Sequence, residues 1–172
     1  MARFTHPAIF EGGMSGLNIP HGAFHSDTDQ TLAVNTPGSM HFEITDFSQG
    51  VTIVNDEFGH PSIIRIEEIG IYNISFSAQL HNTGGGGAGS TVDIWMVHQG
   101  SAVPDSNTKI EVPSNAPYVV AAWNFFVNST TTPQDFQLFW KTPKAEIRLE
   151  HVDANGVIPS TPSIILTVNR VA

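Results

Sequence analysis

The sequence contains no cysteine, so neither disulfide bonds nor thiolate-bound metal ions hold the fold together. Charge is also scarce, because Asp, Glu, Lys and Arg make up only 13% of the residues, against about 25% in an average soluble domain. Seven basic residues face sixteen acidic ones, giving a formal charge of −9. Such a balance argues against nucleic acid as a partner, since phosphate binding relies on clustered Lys and Arg.

Long apolar runs are missing as well. No stretch approaches the length that spans a membrane, and the first residues, Met-Ala-Arg-Phe-Thr-His-Pro, lack the apolar segment of a signal peptide. We therefore expect synthesis in a cytoplasm and no membrane partner. A length of 172 residues suits one domain that buries a sizeable core.

Residues 1–22 combine several Gly and Pro residues with isolated apolar ones and show no sustained period. This composition predicts an extended arm, followed by one domain over residues 23–172. Apolar side chains on a free arm would be sticky, so we expect them to contact a neighbouring protein. Packing on the chain's own body is the alternative. The residues concerned are Phe4, Ile9, Phe10, Met14, Leu17 and Ile19.

Residues 70–80 show the clearest pattern in the chain. Their apolar residues share one parity: Tyr72, Ile74, Phe76, Ala78 and Leu80. Those of the other parity are polar but uncharged: Asn73, Ser75, Ser77 and Gln79. Strand side chains alternate between faces, so this pattern predicts a strand with one face in the core. The uncharged polar face favours cover by a second layer of protein, such as another subunit; a half-exposed strand is the alternative.

Further short strands are predicted near residues 23–34, 40–45, 51–54, 62–66, 91–98, 109–112, 118–128, 136–141, 145–152 and 163–171. Residues 145–152 alternate apolar with charged residues, which predicts one face in water. About ten strands without a convincing helix or internal repeat predict an all-β fold, a two-sheet jelly-roll sandwich. Several strands are apolar on both parities, more than one sandwich interior needs, which predicts a closed symmetric homo-oligomer.

The chain carries no recognisable catalytic motif. Neither a Gly-x-Ser-x-Gly elbow nor His-Glu-x-x-His occurs in the sequence. Adjacent carboxylates occur as Asp56-Glu57 and Glu67-Glu68, but neighbours on a strand point to opposite faces and would not converge. We therefore expect no enzymatic activity.

Two segments invite a ligand-binding interpretation that their context does not support. His25, Asp27 and Asp29 share one parity and are residue types that ligate metals, but no further ligand spacing accompanies them. A solvated strand face is the better interpretation. The Gly-rich residues 84–89 precede a strand instead of a helix, so they predict an exposed loop and not a phosphate cradle. We expect no cofactor and no metal.

Several segments together resemble a known group of proteins. The most specific are Trp-Met-Val-His-Gln-Gly at residues 95–100 and Ala-Ala-Trp-Asn at residues 121–124, beside residues 70–80, 103–109 and 162–168. They resemble a domain found in virion structural proteins of tailed bacteriophages, including capsid decoration proteins and fibres. The strand layout over residues 22–172 is also similar to the trimeric jelly rolls of the tumour-necrosis-factor and complement-globular-head family.

The resemblance implies a homotrimer whose aromatic-rich strands face the threefold axis. The residues that it implies for the core or the trimer interface are Tyr72, Phe76, Trp95 and Trp123. We expect Phe125 and Trp140 to belong to the same set. The chain departs from the family pattern at Pro133-Gln134-Asp135, where the family commonly has Gly-Asp.

The function that this resemblance implies is that of a capsid decoration (cement) protein. Such a homotrimer would sit on the outer capsid surface of the virion, contact the major capsid protein through the arm of residues 1–22, and clamp neighbouring capsid subunits. A short chain with one jelly roll and no fibrous repeat favours this role. The alternative is a receptor-binding tip or fibre module, with residues 84–89 and 114–117 contacting a host surface glycan.

Overall fold

The computed structural model describes residues 19–84, 90–114 and 118–172. Over these ranges the chain forms fourteen β-strands, and no helix there could cross a membrane. The strands are β1 (His21–Ser26), β2 (Gln30–Thr31), β3 (Gly38–Ser39), β4 (Ile44–Gln49), β5 (Val51–Asn55), β6 (Pro61–Ile66), β7 (Gly70–Asn82), β8 (Ser90–His98), β9 (Ser101–Ala102), β10 (Thr108–Val112), β11 (Val119–Ser129), β12 (Gln134–Lys141), β13 (Ile147–Leu149) and β14 (Ile164–Arg170).

The strands form two antiparallel sheets of seven strands each. In the first sheet, β11 pairs with one edge of β7, while β14 and β13 share its other edge; β1 and β4 follow β14, and β2 follows β13. In the second sheet the order is β10, β8, β12, β6 and β5, with β9 beside β8 and β3 beside β12. The prediction of an all-β, two-sheet sandwich is confirmed.

The longest strand, β7, lies at the centre of the first sheet and supplies much of the core. Its apolar parity is buried, with Tyr72 and Ile74 at 0% and Phe76 at 4% exposure, as the alternation predicts. The Tyr72 hydroxyl donates to the carbonyl of Glu68 at 3.0 Å, so this buried tyrosine keeps a partner for its polar atom. Across the sandwich, Leu138 and Trp140 of β12 are fully buried in the same cluster.

The predicted strand over residues 40–45 is wrong, because β4 begins only at Ile44. Met40 and Phe42 are buried as the pattern requires, but their backbone N–H groups donate to different strands, at Leu138 of β12 and Pro61 of β6. The segment is thus extended, but it bonds first to β12 and then to β6 and does not pair along a single strand. The Gln30 side chain accepts from the N–H of the intervening residue, His41, and donates to its carbonyl, at 2.9 and 3.0 Å.

The ends of two other predicted strands also differ. The strand expected over residues 145–152 is reduced to β13, and the first strand begins at His21, inside the range predicted for the arm. Pro20 is buried, and its carbonyl accepts from the N–H of Arg170 at 3.0 Å, which fixes the chain just before β1. Of the apolar arm residues only Ile19 is described, and it is 53% exposed. Phe4, Ile9, Phe10, Met14 and Leu17 lie outside the described residues.

Candidate association surface

The outer face of the first sheet carries side chains that alternate with the core residues. The regular pairing of β11, β7, β14 and β1 aligns them in cross-strand rows, such as Asn124, Ser75, Thr167 and Ala23. We call the following set the uncharged face: Ala23, Asn73, Ser75, Ser77, Gln79, Val120, Ala122, Asn124, Phe126, Ile165, Thr167 and Asn169.

Large apolar side chains on this face are exposed in the single chain. Phe126 is 67%, Val120 61% and Ile165 43% exposed. The polar members bond to one another, with Asn124 Nδ2 donating to Asn73 Oδ1 at 2.8 Å and Asn73 Nδ2 donating to Ser75 Oγ at 3.1 Å. Polar groups that are already paired cost less to remove from water, so this surface can be covered at little penalty.

The outer face of the second sheet has the opposite character. At corresponding outward positions it carries Arg65, Asp93, Lys109, Glu111, Asp135 and Lys141. Lys109 Nζ lies 2.7 Å from Asp93 Oδ1, and Arg65 pairs with both carboxylate oxygens of Asp135 at 2.8 Å. Both faces belong to one chain of low charge, so overall composition does not explain the difference. Apart from the patch at Trp95 and Phe139, this outer face is suited to water, whereas the uncharged face is suited to contact with protein.

The free edge of the first sheet adds a second apolar feature. Among the described strands β11 pairs with β7 alone, and Trp123 and Phe125 project from it toward the interior but are only partly buried. Trp123 packs edge-on against Phe76 with ring centroids 4.6 Å apart. Its Nε1 atom is buried yet has no hydrogen-bond partner within the described chain. A buried indole N–H usually has a partner, so this edge retains both apolar area and an unused donor.

The structure distributes the six predicted core or interface residues over three environments. Tyr72, Phe76 and Trp140 are buried in the core of the single chain. Trp123 and Phe125 lie at the edge formed by β11. Trp95 lies on the outer face of the second sheet beside Phe139, with ring centroids 5.9 Å apart, and is therefore not brought together with the other five.

The exposed apolar residues of the uncharged face leave a signal in the sequence, because they form the second apolar parity of their strands. Ala122 and Phe126 belong to the second apolar parity of residues 118–128, opposite to the parity of Trp123. The aromatic residues Trp123 and Phe125 belong to the inward parity. Burial in the core accounts for apolar side chains on only one face of a strand. Apolar residues on the opposite face of β11 therefore indicate a contact outside the core.

Titratable side chains gather at one end of the uncharged face. Glu150 is only 7% exposed, so the prediction that the charged side of residues 145–152 faces water is wrong at this position. Its Oε2 lies 2.5 Å from His81 Nδ1, Arg148 donates to its Oε1, and the Tyr118 hydroxyl hydrogen-bonds to it. Burial alone would raise the pKa of Glu150, but these hydrogen bonds and the His81 charge outweigh it and lower the pKa. The bond to Glu150, together with burial, raises the pKa of Tyr118.

The acidic residues that follow β1 lie beside His25 and Arg148. His25 lies 3.1 Å from Asp46 and 3.6 Å from Asp27, and Arg148 Nη1 lies 3.4 Å from Asp29. Over residues 19–84, 90–114 and 118–172, no group of three or more His, Asp and Glu side chains is arranged to hold a metal ion.

Comparison with known proteins bears on the fold. No protein-family model matches the chain, and no curated protein matches it either. Among solved structures it is similar to murine APRIL at pH 8.0 (TM-score 0.54, 9% identity), pH 8.5 (0.51, 9%) and pH 5.0 (0.51, 10%). Each match covers 89% of this chain and 99% of the APRIL chain.

The fold is a tumour-necrosis-factor-like jelly roll. At 9–10% identity the likeness concerns the fold alone.

Proposed function

We propose that this chain is a non-enzymatic structural protein of a tailed-phage virion, acting as a capsid decoration protein in the form of a homotrimer. The trimer sits on the outer capsid surface, where its N-terminal arms contact the major capsid protein and clamp neighbouring capsid subunits against expansion of the shell. The ground for proposing a virion is the resemblance of the segments at residues 95–100 and 121–124 to a domain of phage virion structural proteins, which include both decoration proteins and fibres. The uncharged face supports the association on which the clamp depends.

The geometry favours an interface between two different patches of the chain. The edge at β11 offers half-buried Trp123 and Phe125, and the uncharged face offers exposed Phe126 and Ile165. A contact in which the edge of one copy meets the face of the next is heterologous, and three such contacts close a ring. In such a ring the β11 edge of every copy lies against the uncharged face of the next copy. The second sheet of every copy then points outward.

The arm is tested by removing residues 1–18, which stops short of Ile19 and the buried Pro20. The shortened protein should remain a trimer in sedimentation, because β1 and its contacts are intact, but should no longer bind undecorated capsid shells of the phage that encodes it. The matched control replaces residues 1–18 with a Gly/Ser chain of equal length. Normal decoration by either variant would contradict the clamp.

A fibre or receptor-binding role remains the second candidate. The loops proposed for it, residues 84–89 and 114–117, lie mostly outside the described residues, but an aromatic groove on the second sheet, described below, points away from the uncharged face. Imaging of the virion separates the two roles. Many copies spread over the shell support decoration, whereas a few copies at a vertex or tail support a fibre.

A further inference from the structure

A groove of about 990 Å³ crosses the outer face of the second sheet. Its floor includes Trp95 and Val97 of β8 and their cross-strand partners Phe139 and Gln137 of β12. This volume lies at the upper end of the range of about 300–1,000 Å³ in which proteins bind drug-sized ligands. The groove therefore has room for more than one ring of a chain-like ligand.

Aromatic rings line the groove on two sides. Trp95 and Phe139 form the floor with ring centroids 5.9 Å apart, and the turn between β5 and β6 contributes Phe58 and His60. His41 stacks on His60 at 4.4 Å. Phe58 is 76% exposed, which no core requirement explains. The electron-rich faces of such rings attract the weakly positive C–H groups of a ligand.

The charged groups of the groove exclude an anionic ligand. It is lined by four carboxylates, those of Asp29, Asp56, Glu57 and Asp135, and by no Lys or Arg among the described residues. Three of the four already have partners within the chain. Asp135 pairs with Arg65, and Asp29 lies beside Arg148.

Asp56 is the third occupied carboxylate. It accepts from the backbone N–H groups of Phe58 and His60 and from the hydroxyls of Ser62 and Ser39, at 2.9–3.3 Å. These neutral donors leave the charge of Asp56 in place, but they use all four lone-pair positions of its two oxygens, so Asp56 is not free to coordinate a cation. The groove is best matched by a neutral ligand.

Uncharged polar groups beside the rings supply hydrogen bonding. Gln137 and Gln99 carry amides that both donate and accept, and both line the groove. Burial, and next the neighbouring His60, lower the pKa of His41, which keeps its imidazole neutral near pH 7 and able to donate at one nitrogen and accept at the other. Amides and neutral imidazole suit hydroxyl groups, which also donate and accept.

We propose that this groove binds a neutral oligosaccharide, with the C–H faces of its sugar rings stacked on Trp95, Phe139 and Phe58 and its hydroxyls bonded to Gln99, Gln137 and His41. The inference does not rest on the proposed decoration role. The groove lies on the sheet opposite the uncharged face, so it stays open in a monomer and in a trimer. In a trimer three grooves would act together, and linked sites raise the avidity for a polymeric glycan.

The test uses the full-length protein on an array of neutral oligosaccharides of glucose, galactose, mannose, xylose and N-acetylglucosamine, with heparin and polygalacturonate as anionic probes. We expect binding to at least one neutral series and none to the anionic probes. For the best neutral oligosaccharide, titration calorimetry should show binding that Phe58→Ala weakens about tenfold. The matched control is Phe47→Ala, a similarly exposed phenylalanine of β4 in the first sheet that lies outside both the groove and the uncharged face, and this variant should bind normally.

Trp95→Phe provides a second readout that loss of folding would not imitate. It keeps an aromatic ring and the packing with Phe139, but it should remove the change in tryptophan fluorescence that accompanies sugar binding. The proposal is overturned if no neutral oligosaccharide binds, if only the anionic probes bind, or if Phe58→Ala binds as tightly as the unaltered protein. Failure here leaves the decoration role untouched, because that role is measured on capsid shells.

Discussion

A charge placed at Ala122 tests whether the uncharged face is covered in the assembled protein. Ala122 lies near the middle of β11, is exposed in the single chain, and has Ser77 of β7 as its cross-strand neighbour. In an isolated chain, Ala122→Glu or Ala122→Lys puts its charge into water. The free energy of unfolding of the monomer should then change by no more than about 0.5 kcal/mol.

In the proposed trimer the same charge becomes buried without a partner, because every member of the uncharged face is neutral. An uncompensated buried charge costs about 3–5 kcal/mol, and each of the three interfaces would contain one. At the lower figure the trimer loses about 9 kcal/mol, and with about 1.4 kcal/mol per factor of ten its association constant falls by about six orders of magnitude. The variants should be monomers at concentrations where the unaltered protein is a trimer.

Sedimentation velocity over a range of protein concentrations measures this change. The matched controls are Ala102→Glu and Ala102→Lys, which alter an exposed alanine on the second sheet. Glu and Lys change the net charge in opposite directions, so an equal loss of trimer with both excludes a general repulsion effect. The reasoning fails if the unaltered protein sediments as a monomer, or if the Ala122 variants stay trimeric.

Two further predictions concern the stability of the single chain. Because the pKa of Glu150 is lowered below its ordinary value of 4.5, its carboxylate stabilises the fold fully above that pH and loses this effect as the pH falls through the folded pKa. Glu150→Gln should therefore lower the free energy of unfolding by about 1–3 kcal/mol at neutral pH, and the difference from the unaltered protein should shrink in acid. Thermal unfolding at several pH values measures this difference, and a difference that is equal at all of them would contradict the prediction. Asp56→Ala removes the acceptor that closes the turn between β5 and β6 and should cost about 2 kcal/mol in urea unfolding, and Asp56→Asn less. An unchanged urea midpoint for Asp56→Ala would show that the turn does not need this carboxylate.

The sequence predicts most reliably where one physical requirement dominates. The alternation over residues 70–80 places Tyr72, Phe76 and Leu80 in the core because a strand has only two faces and one must be dry. The same argument fails for residues 40–45. There Met40 and Phe42 are buried, but alternation does not reveal that their backbone groups bond to two different strands.

The alternation over residues 70–80 indicates one uncharged strand face, but neither the groove nor the full extent of the uncharged face follows from the sequence. Trp95, Phe139 and Phe58 lie far apart in the sequence, and only the pairing of β8 with β12 and the position of the turn after β5 bring them to one surface. Periodicity assigns Trp123 and Trp95 to faces of their strands, but it does not tell which strand ends at an edge or which sheet each strand joins. Those facts follow from topology, which depends on contacts between distant residues.

The edge formed by β11 gives an argument for association that does not depend on the uncharged face. This strand runs for eleven residues, pairs with β7 in regular register from Val119 to Ser129, and contains no charged residue and no proline. Natural proteins protect exposed edges with charge, proline, bulges or short strands, because a long flat apolar edge recruits other chains. Within residues 19–84, 90–114 and 118–172, β11 has none of these protections, so we expect this edge to promote aggregation of a single chain. In the proposed closed ring each copy covers the β11 edge of the next, so no β11 edge is left to recruit further chains.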